Sequence, residues 1–240
     1  MITVPTPAAP NTSASAGRSR TEHPFAFAHE FAREYGLDRR STGAVAPSSR
    51  ALARELTRPL RGIGSATAHT ILEVGPGTGA VTRHIAAAMD ARDRLDLVEA
   101  NPRFVHLLAG RLGAEPPLAR IRPQTRLLAG RIEDIDLDEG RYDAIVCGLP
   151  FANFEPDVAE AILEQLFAAL HPRGRLSFFA YAGLPALRSA ASGPARRRRL
   201  ALTRRIVGGF LAQYGVDRAL VLGNLPPAWV HHLAGEPVRR

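Results

Sequence analysis

Apolar and polar positions follow two different periods along the chain from residue 70 onward. Short apolar runs alternate with longer segments in which apolar residues recur every third or fourth position, the spacing of an amphipathic helix. The runs predict strands over 71–74, 94–99, 126–129, 142–147 and 175–181, and the longer segments predict helices over 79–89, 102–112 and 157–170. Strands that alternate with helices are typical of a parallel, doubly wound α/β sheet.

The pattern changes towards both ends of the chain. Residues 200–214 are helix-like, and short strands over 219–222 and 229–233 are expected to pair antiparallel at one edge, which completes a mostly parallel, seven-stranded sheet. At the other end, Phe25, Phe27, Phe31 and Tyr35 fall mostly on one helical face, and a second helix is expected after Pro47.

These patterns predict three parts. Residues 1–24 are poor in large apolar groups and read as a disordered tail. Residues 25–62 are expected to form an N-terminal helical extension that acts as a lid towards a membrane or a substrate. Residues 63–240 form the α/β domain.

Composition excludes several classes of protein. A hydrophobic fraction of 45% and a charged fraction of 22% over 240 residues are not those of a disordered chain or a collagen-like fibre. Cys147 is the only cysteine, so neither an internal disulfide nor a cysteine-based zinc cluster can form, and no metal site is expected. Its apolar surroundings favour a small buried thiol. No apolar run is long enough to span a bilayer and no signal peptide is seen, so the expected location is cytoplasmic.

The charge balance widens the range of partners. The chain has thirty-one basic and twenty-three acidic residues, which gives a net charge of +8. Every one of these basic residues is arginine. A GC-rich coding sequence alone would give this bias. Because arginine binds phosphate with two parallel donors, both nucleic acid and an anionic membrane surface remain admissible partners.

A glycine-rich turn lies between the first predicted strand and its helix. It reads Glu73-Val74-Gly75-Pro76-Gly77-Thr78-Gly79, and such turns let the backbone approach a ligand closely. The spacing differs from the dinucleotide pattern G-x-G-x-x-G, and no phosphate-loop lysine is present. A carboxylate at Glu73 would repel a pyrophosphate and suits a cationic ligand. Glu99 ends the next strand, where a carboxylate can accept both hydroxyls of a ribose.

On these residues the chain resembles the class I S-adenosylmethionine (SAM) methyltransferases, whose first motif is E/D-x-G-x-G-x-G, over roughly residues 71–181. The resemblance implies a Rossmann-like fold, SAM as cofactor, the glycine turn around the methionine moiety and Glu99 on the ribose. After the third strand Arg131 stands where the family often has Asp, so Ile132 or Glu133 is expected near the adenine. The implied cofactor set is Glu73, Gly75, Pro76, Gly77, Gly79, Glu99, Ala100, Asn101, Ile132, Glu133 and Gly148.

The fourth strand runs into Cys147-Gly148-Leu149-Pro150-Phe151-Ala152-Asn153-Phe154. Class I enzymes that methylate nitrogen carry D/N-P-P-Y/F or N-L-P-Y/F here. A proline turn can aim a carbonyl at an amine, and an aromatic ring can stack on a base. Gly148 stands where the amide side chain would be, which argues against an adenine acceptor. A plain strand-ending turn is the alternative interpretation.

A wider match is to the bacterial phospholipid N-methyltransferases, which convert phosphatidylethanolamine towards phosphatidylcholine. It rests on residues 42–53 (TGAVAPSSRALA), 148–154 (GLPFANF), 179–181 (FAY) and 224–228 (NLPPA). The resemblance implies a catalytic group of Leu149, Pro150, Phe151 and Tyr181. Tyr181 would receive or relay the proton of the amine, or simply pack its ring. Tyr35, Phe151 and Phe154 are candidates to face a methylated ammonium.

A phospholipid acceptor requires docking at a membrane surface. The helix over 25–35, Arg39 with Arg40, and the arginines from Arg196 to Arg205 are the expected contacts with anionic headgroups; a solvated face or RNA phosphates are the alternatives. Three functions stay open: a phospholipid N-methyltransferase with peripheral membrane association, an rRNA adenine N-methyltransferase, and a methyltransferase of another amine lipid (ornithine lipid) or small molecule. The number of methyl groups added is not fixed by the sequence.

Overall fold

A computed structural model describes residues 48–62, 67–182 and 193–238. The expected tail, the expected helix over 25–35, Tyr35, Arg39 and Arg40 lie outside these residues. The account below concerns the described part of the chain.

The domain is built on one seven-stranded sheet in the order β3-β2-β1-β4-β5-β7-β6. The strands are β1 (Thr70–Val74), β2 (Arg94–Glu99), β3 (Thr125–Ala129), β4 (Tyr142–Cys147), β5 (Leu170–Tyr181), β6 (Gly215–Val221) and β7 (Ala228–Ala234). The pairs among β1 to β5 are parallel, whereas β7 is antiparallel to both β5 and β6. The predicted fold, including the antiparallel pair at one edge, is confirmed.

Helices cover both faces of the sheet. They are α1 (Arg50–Leu56), α2 (Thr82–Ala88), α3 (Pro102–Ala114), α4 (Leu118–Ile121), α5 (Pro156–Ala169) and α6 (Pro194–Tyr214). One core cluster packs α1 to α4 against one face, and a second packs α5 and α6 against the other. Neighbouring strand residues divide between them, as Ile71 and Leu72 do, because side chains alternate along a strand.

The boundaries depart from the sequence pattern most clearly at four elements, one of which is α6, which begins at Pro194 rather than at residue 200. Helix α2 begins at Thr82 rather than at residue 79, because the glycine turn extends to residue 81. Strand β5 begins at Leu170 and β6 at Gly215, both earlier than expected.

The segment 113–125, for which the sequence suggests no role, packs against the sheet. Leu118 and Ile121 of α4 are fully buried. Gln124 Nε2 donates to the carbonyl oxygens of Asp90 and Asp93 at 2.6 and 2.9 Å, which holds the connection against the turn before β2. A structural role therefore accounts for its length.

The strand order places the site. The chain winds outward from β1 to β3 and then returns to β4 on the other side of β1. In such sheets the crevice beyond the carboxyl ends of the strands, at the point of reversal, is where ligands bind. The ends of β1, β2 and β4 border this crevice. Among the described residues, no helix has the length and apolar character to cross a bilayer, and no group of three or more metal-binding side chains is found.

Candidate functional site

The glycine turn after β1 has a backbone that other residues rarely adopt. Gly75, Gly77 and Gly79 have φ angles of 71°, 56° and 82°, in the left-handed region that glycine enters at no steric cost. A Cβ added at Gly75 would lie 2.9 Å from Leu149 Cδ2, and one at Gly79 would lie 2.9 Å from Leu108 Cδ1. At Gly77 nothing lies within 4 Å of an added Cβ, so the middle of the turn is open at this point.

Glu73 sits at the end of β1 and is buried. Its pKa is raised to about 8: burial is the main cause, Thr82 acts in the opposite direction, and the nearby Glu99 adds to the rise. Its Oε2 has no well-aligned hydrogen-bond donor within the described residues. A buried carboxylate oxygen without a donor is costly for the free protein. It is a fitting acceptor for a cationic group that enters the crevice.

Glu99, at the end of β2, is held by backbone donors. Its Oε2 accepts from the N–H of Gly77 at 2.9 Å, and its Oε1 accepts from the N–H of Asn101 at 2.8 Å. Burial raises its pKa, and these donors act in the opposite direction. Each oxygen keeps a lone pair for a further donor, so the oriented carboxylate suits the two hydroxyls of a ribose.

Three further residues of the expected cofactor set are Pro76, Ala100 and Asn101, and two of them have structural roles. The Asn101 side chain caps α3 by accepting from the N–H of Arg103 at 2.9 Å. Pro76 accepts from the N–H of Gly79 at 2.8 Å, which closes the turn. Ala100 is exposed between β2 and α3. All three border the same crevice.

A short 3₁₀ turn, Ile132–Asp134, forms the wall beyond β3. Gln165 of α5 donates from Nε2 to the carbonyl oxygens of Ile132 and Ile135 at 3.0 and 2.7 Å, which pins this turn to the domain. Ile132 is buried, and Glu133 forms an ion pair with Arg131 at 2.5 Å. The predicted adenine-side residues therefore lie on a turn with a fixed backbone.

Gly148 lies where the two central strands β1 and β4 end side by side. Its N–H donates to the carbonyl oxygen of Val74 at 2.7 Å. A Cβ added here would lie 2.7 Å from the carbonyl oxygen of Gly75, closer than such atoms approach. The absence of an amide side chain at this position therefore has a steric cause. The turn that follows is pressed directly against the glycine turn of β1.

The acceptor-side residues are mostly packed into the domain. Pro150 and Phe151 are buried, and the Phe151 ring meets the Phe178 ring edge to face at 5.3 Å between centroids. Phe154 is buried in the same cluster, and Leu149 packs against it while remaining partly exposed. These contacts account for both phenylalanines as core residues, and their contact with a substrate stays a prediction.

Tyr181 is the last residue of β5 and is half-buried. It pairs with Ala228 of β7, and its ring meets that of Phe179 edge to face at 5.2 Å. It lies at the same edge of the sheet as Gly148, one strand further along. The structure thus brings the glycine turn, both glutamates, the turn after β4 and Tyr181 to one edge.

Two polar residues at this edge were missed by reasoning from sequence. Thr82 could have been found as the polar residue on the first turn of the helix that follows a glycine turn. Gln165 carries no such signal, because it lies within a helix far along the chain and acts on backbone carbonyls.

Comparison with known proteins finds similarities over most of this domain. Residues 71–174 match the family model described as "Methyltransferase domain". A curated relative, the ornithine lipid N-methyltransferase of Singulisphaera acidiphila, is 27% identical over 131 residues. The match covers 55% of this chain and 66% of the relative, just under two thirds of its length.

Solved structures share the fold. A SAM-dependent methyltransferase from Aquifex aeolicus superposes with a TM-score of 0.54 at 12% identity, over 86% of this chain and 97% of the other. The N-methyltransferase NodS from Bradyrhizobium japonicum WM9 gives a TM-score of 0.52 at 19% identity, over 78% and 94%. The domain thus has the class I fold of SAM-dependent methyltransferases, and its cofactor is SAM. The Glu73 oxygen without a donor and the oriented Glu99 carboxylate fit the amino group and the ribose of that cofactor.

Proposed function

We propose that this protein is an N-methyltransferase that transfers methyl groups from SAM to the primary amine of a phospholipid headgroup, that of phosphatidylethanolamine, at a membrane surface. The observation that carries the proposal is the contact between Gly148 and Gly75. It presses the Gly-Leu-Pro-Phe turn against the cofactor loop and excludes the amide side chain that an adenine acceptor calls for. The identity to a lipid N-methyltransferase supports a lipid amine.

Binding of the cofactor is assigned to the first three strands. The bound cofactor supplies a methyl group on a sulfonium that is open to direct attack by an amine. Glu73 Oε2 accepts from the cofactor's amino group, and Glu99 accepts from the ribose hydroxyls. The open face at Gly77 leaves room for the backbone to contact the ligand. Because both glutamates are fixed by the fold, they would hold the cofactor in one orientation for the acceptor.

Delivery of the acceptor is assigned to the turn after β4. A primary alkylamine has a pKa near ~10, by analogy with lysine, and must lose a proton before it can attack. The turn over 147–154 has no charged residue. Such surroundings disfavour the ammonium form and lower the pKa of a bound amine. Tyr181, one strand away, is the group to which we assign receipt or relay of the proton.

Ornithine lipid is the second candidate acceptor. The curated relative is named for that substrate. Methylation of the primary amine of ornithine lipid requires the same chemistry as methylation of ethanolamine. An rRNA adenine acceptor is disfavoured, because an asparagine at position 148 would collide with the carbonyl oxygen of Gly75.

The surface near the turn after β4 (residues 147–154, here called the acceptor turn) is suited to contact with a membrane. Helix α6 follows β5 and begins near this turn, since Arg199 pairs with Glu155 at 2.7 Å. Its first turns expose a set of arginines: Arg196, Arg197, Arg198, Arg204 and Arg205. At the same edge of the sheet Leu222 and Leu225 are 72% and 80% exposed. Exposed arginines and leucines together suit an anionic bilayer, and the proposal includes peripheral association on the cytoplasmic side.

The test is transfer of labelled methyl from SAM into vesicles of phosphatidylglycerol that contain either phosphatidylethanolamine or ornithine lipid, with rRNA in a parallel reaction. Label in phosphatidylethanolamine that is lost in Glu99→Ala and kept in Glu160→Ala, an exposed glutamate of α5, supports the proposal. Label only in ornithine lipid moves the assignment to the second candidate. Label only in RNA overturns both. Chromatography of the products counts the methyl groups.

A second assay tests the membrane partner. Replacement of Arg196, Arg197 and Arg198 by serine is expected to weaken binding to phosphatidylglycerol vesicles by about 1 kcal/mol for each charge. Binding to vesicles of neutral lipid, measured by co-sedimentation, is the matched control. Equal binding of the variant and the parent protein to anionic vesicles would contradict this part of the proposal.

A further inference from the structure

One buried side-chain amide joins two distant parts of the chain near the end of β5. Asn224 lies between β6 and β7 and is 6% exposed. Its Oδ1 accepts from the N–H of Ser49 at 3.0 Å, and its Nδ2 donates to the carbonyl oxygen of Pro226 at 2.8 Å. The two residues that Oδ1 joins are 175 positions apart. Both ends of the amide are therefore used, and neither bond belongs to a helix or a strand.

The first bond fixes the start of α1. Ser49 is the N-cap of this helix and accepts from the N–H of Leu52 at 3.1 Å. The rest of α1 is held separately, because Leu52, Ala53 and Leu56 are buried and Glu55 lies 3.2 Å from His232 Nε2. Loss of the Asn224 bond would therefore free the first turn of α1 and leave the helix docked.

The second bond fixes the turn that leads into β7. Asn224 holds the carbonyl of Pro226, and the next carbonyl, that of Pro227, accepts from the N–H of Ala182 at 2.7 Å. Ala182 follows Tyr181 directly. The amide thus connects the start of α1 to the end of β5, where the proposed proton acceptor lies.

Gln165 does the corresponding work on the opposite wall of the crevice. Its amide holds two backbone carbonyls of the turn after β3, beside the cofactor. The two amides are therefore a natural pair for comparison, because each holds a turn by hydrogen bonds to the backbone.

We propose that Asn224 is a positioning residue for the acceptor: it holds the start of α1 and the β6–β7 turn against the end of β5, and so sets how the lipid amine is presented. This inference rests on the proposed function for its substrate. It assigns no contact between Asn224 and the cofactor.

The kinetic test compares Asn224→Ala with Gln165→Ala on vesicles of phosphatidylglycerol with phosphatidylethanolamine or ornithine lipid. Loss of a buried hydrogen-bond partner is expected to raise KM for the lipid about tenfold in Asn224→Ala, with kcat and the Kd for SAM within about twofold of the parent values. Gln165→Ala is expected to weaken SAM binding and to leave KM for the lipid unchanged. Equal effects of both variants on SAM binding would overturn the proposal.

Asn224→Asp separates the two bonds of the amide. Aspartate keeps an oxygen that accepts from Ser49 but places a second acceptor opposite the Pro226 carbonyl, so only part of the increase in KM should be reversed. If Asn224→Asp has the KM of the parent protein, the bond to Pro226 is not needed and the proposed link to the end of β5 is wrong.

Amide hydrogen exchange decides the inference without a substrate. In Asn224→Ala we expect faster exchange at residues 49–52 and at Ala182, and unchanged exchange in β1 to β4. If the parent protein methylates neither lipid, the proposed function is wrong. This exchange pattern, with SAM binding intact, would still show that Asn224 holds the start of α1 and the β6–β7 turn against the end of β5. Unaltered exchange at Ser49 and Ala182 would overturn it.

Discussion

The two sides of the crevice are built differently. On the cofactor side, β1 and β2 end in two buried glutamates, and backbone donors orient one of them. On the acceptor side, β4 ends in a glycine and a turn of apolar and aromatic residues with no charge. One of these glutamates is assigned to the amino group of the cofactor, and the other is assigned to its ribose hydroxyls. An amine that must give up its proton is best received where the ammonium form is disfavoured.

The strongest test of this contrast is removal of the Glu99 carboxylate. Glu99→Ala deletes the proposed acceptor for the ribose hydroxyls and frees the N–H groups of Gly77 and Asn101, so SAM affinity is expected to fall at least about 100-fold. Isothermal titration calorimetry measures this fall, and Glu160→Ala on the surface of α5 is the control. SAM affinity within about threefold of the parent value would mean that the cofactor side does not depend on this carboxylate.

The second test uses pH. Because burial raises the pKa of Glu73 to about 8, the folded protein binds an extra proton between pH 4.5 and 8, and stability falls as pH rises through that range. Glu73→Gln removes this dependence, so the variant should have a higher Tm than the parent protein at pH 8.5. SAM affinity of the parent protein should increase from pH 6 to 8, since an ionised Glu73 is the better partner for an amino group.

The same variant should bind SAM about tenfold more weakly at pH 8 and show a flat pH profile, by calorimetry in matched buffers. Glu164→Gln, an exposed residue of α5, is the control for both readouts. A parent profile that is flat from pH 6 to 8 would contradict the role given to Glu73.

A third test concerns the boundary between the two sides. Gly148→Ala places a Cβ against the carbonyl oxygen of Gly75, and the strain is expected to lower the free energy of unfolding by about 1–3 kcal/mol and methyl transfer several-fold. Gly110→Ala is the matched control: this exposed glycine of α3 has nothing within 4 Å, and alanine should stabilise the helix. If Gly148→Ala has the Tm and activity of the parent protein, the two sides are not pressed together as described.

The two sides also differ in how far sequence predicts them. Glu73, the glycines and Glu99 follow predicted strands at fixed offsets, so a local pattern is enough to place them. Position 148 needs a glycine because it lies against the carbonyl oxygen of Gly75. Gly75 is 73 residues earlier, so no local sequence pattern reveals this contact. Asn224 lies in a motif visible in the sequence, yet its partner is the backbone of Ser49. Contacts between elements distant along the chain are fixed only by the packed fold, and the acceptor side depends on them most.

The smallest expected effect tests the rigidity of the boundary. Cys147 precedes Gly148, is buried, and has a pKa raised by burial to about 12. Since the thiolate is the reactive form, a disulfide reagent at pH 8 should leave it unmodified in the folded protein and label it fully in urea. Cys147→Ala should alter methyl transfer by less than about twofold, since no step uses the thiol. Rapid labelling of the folded protein, slowed by SAM, would instead show that the end of β4 opens towards the crevice. The turn after β4 would then be a mobile gate rather than a wall shared by cofactor and acceptor.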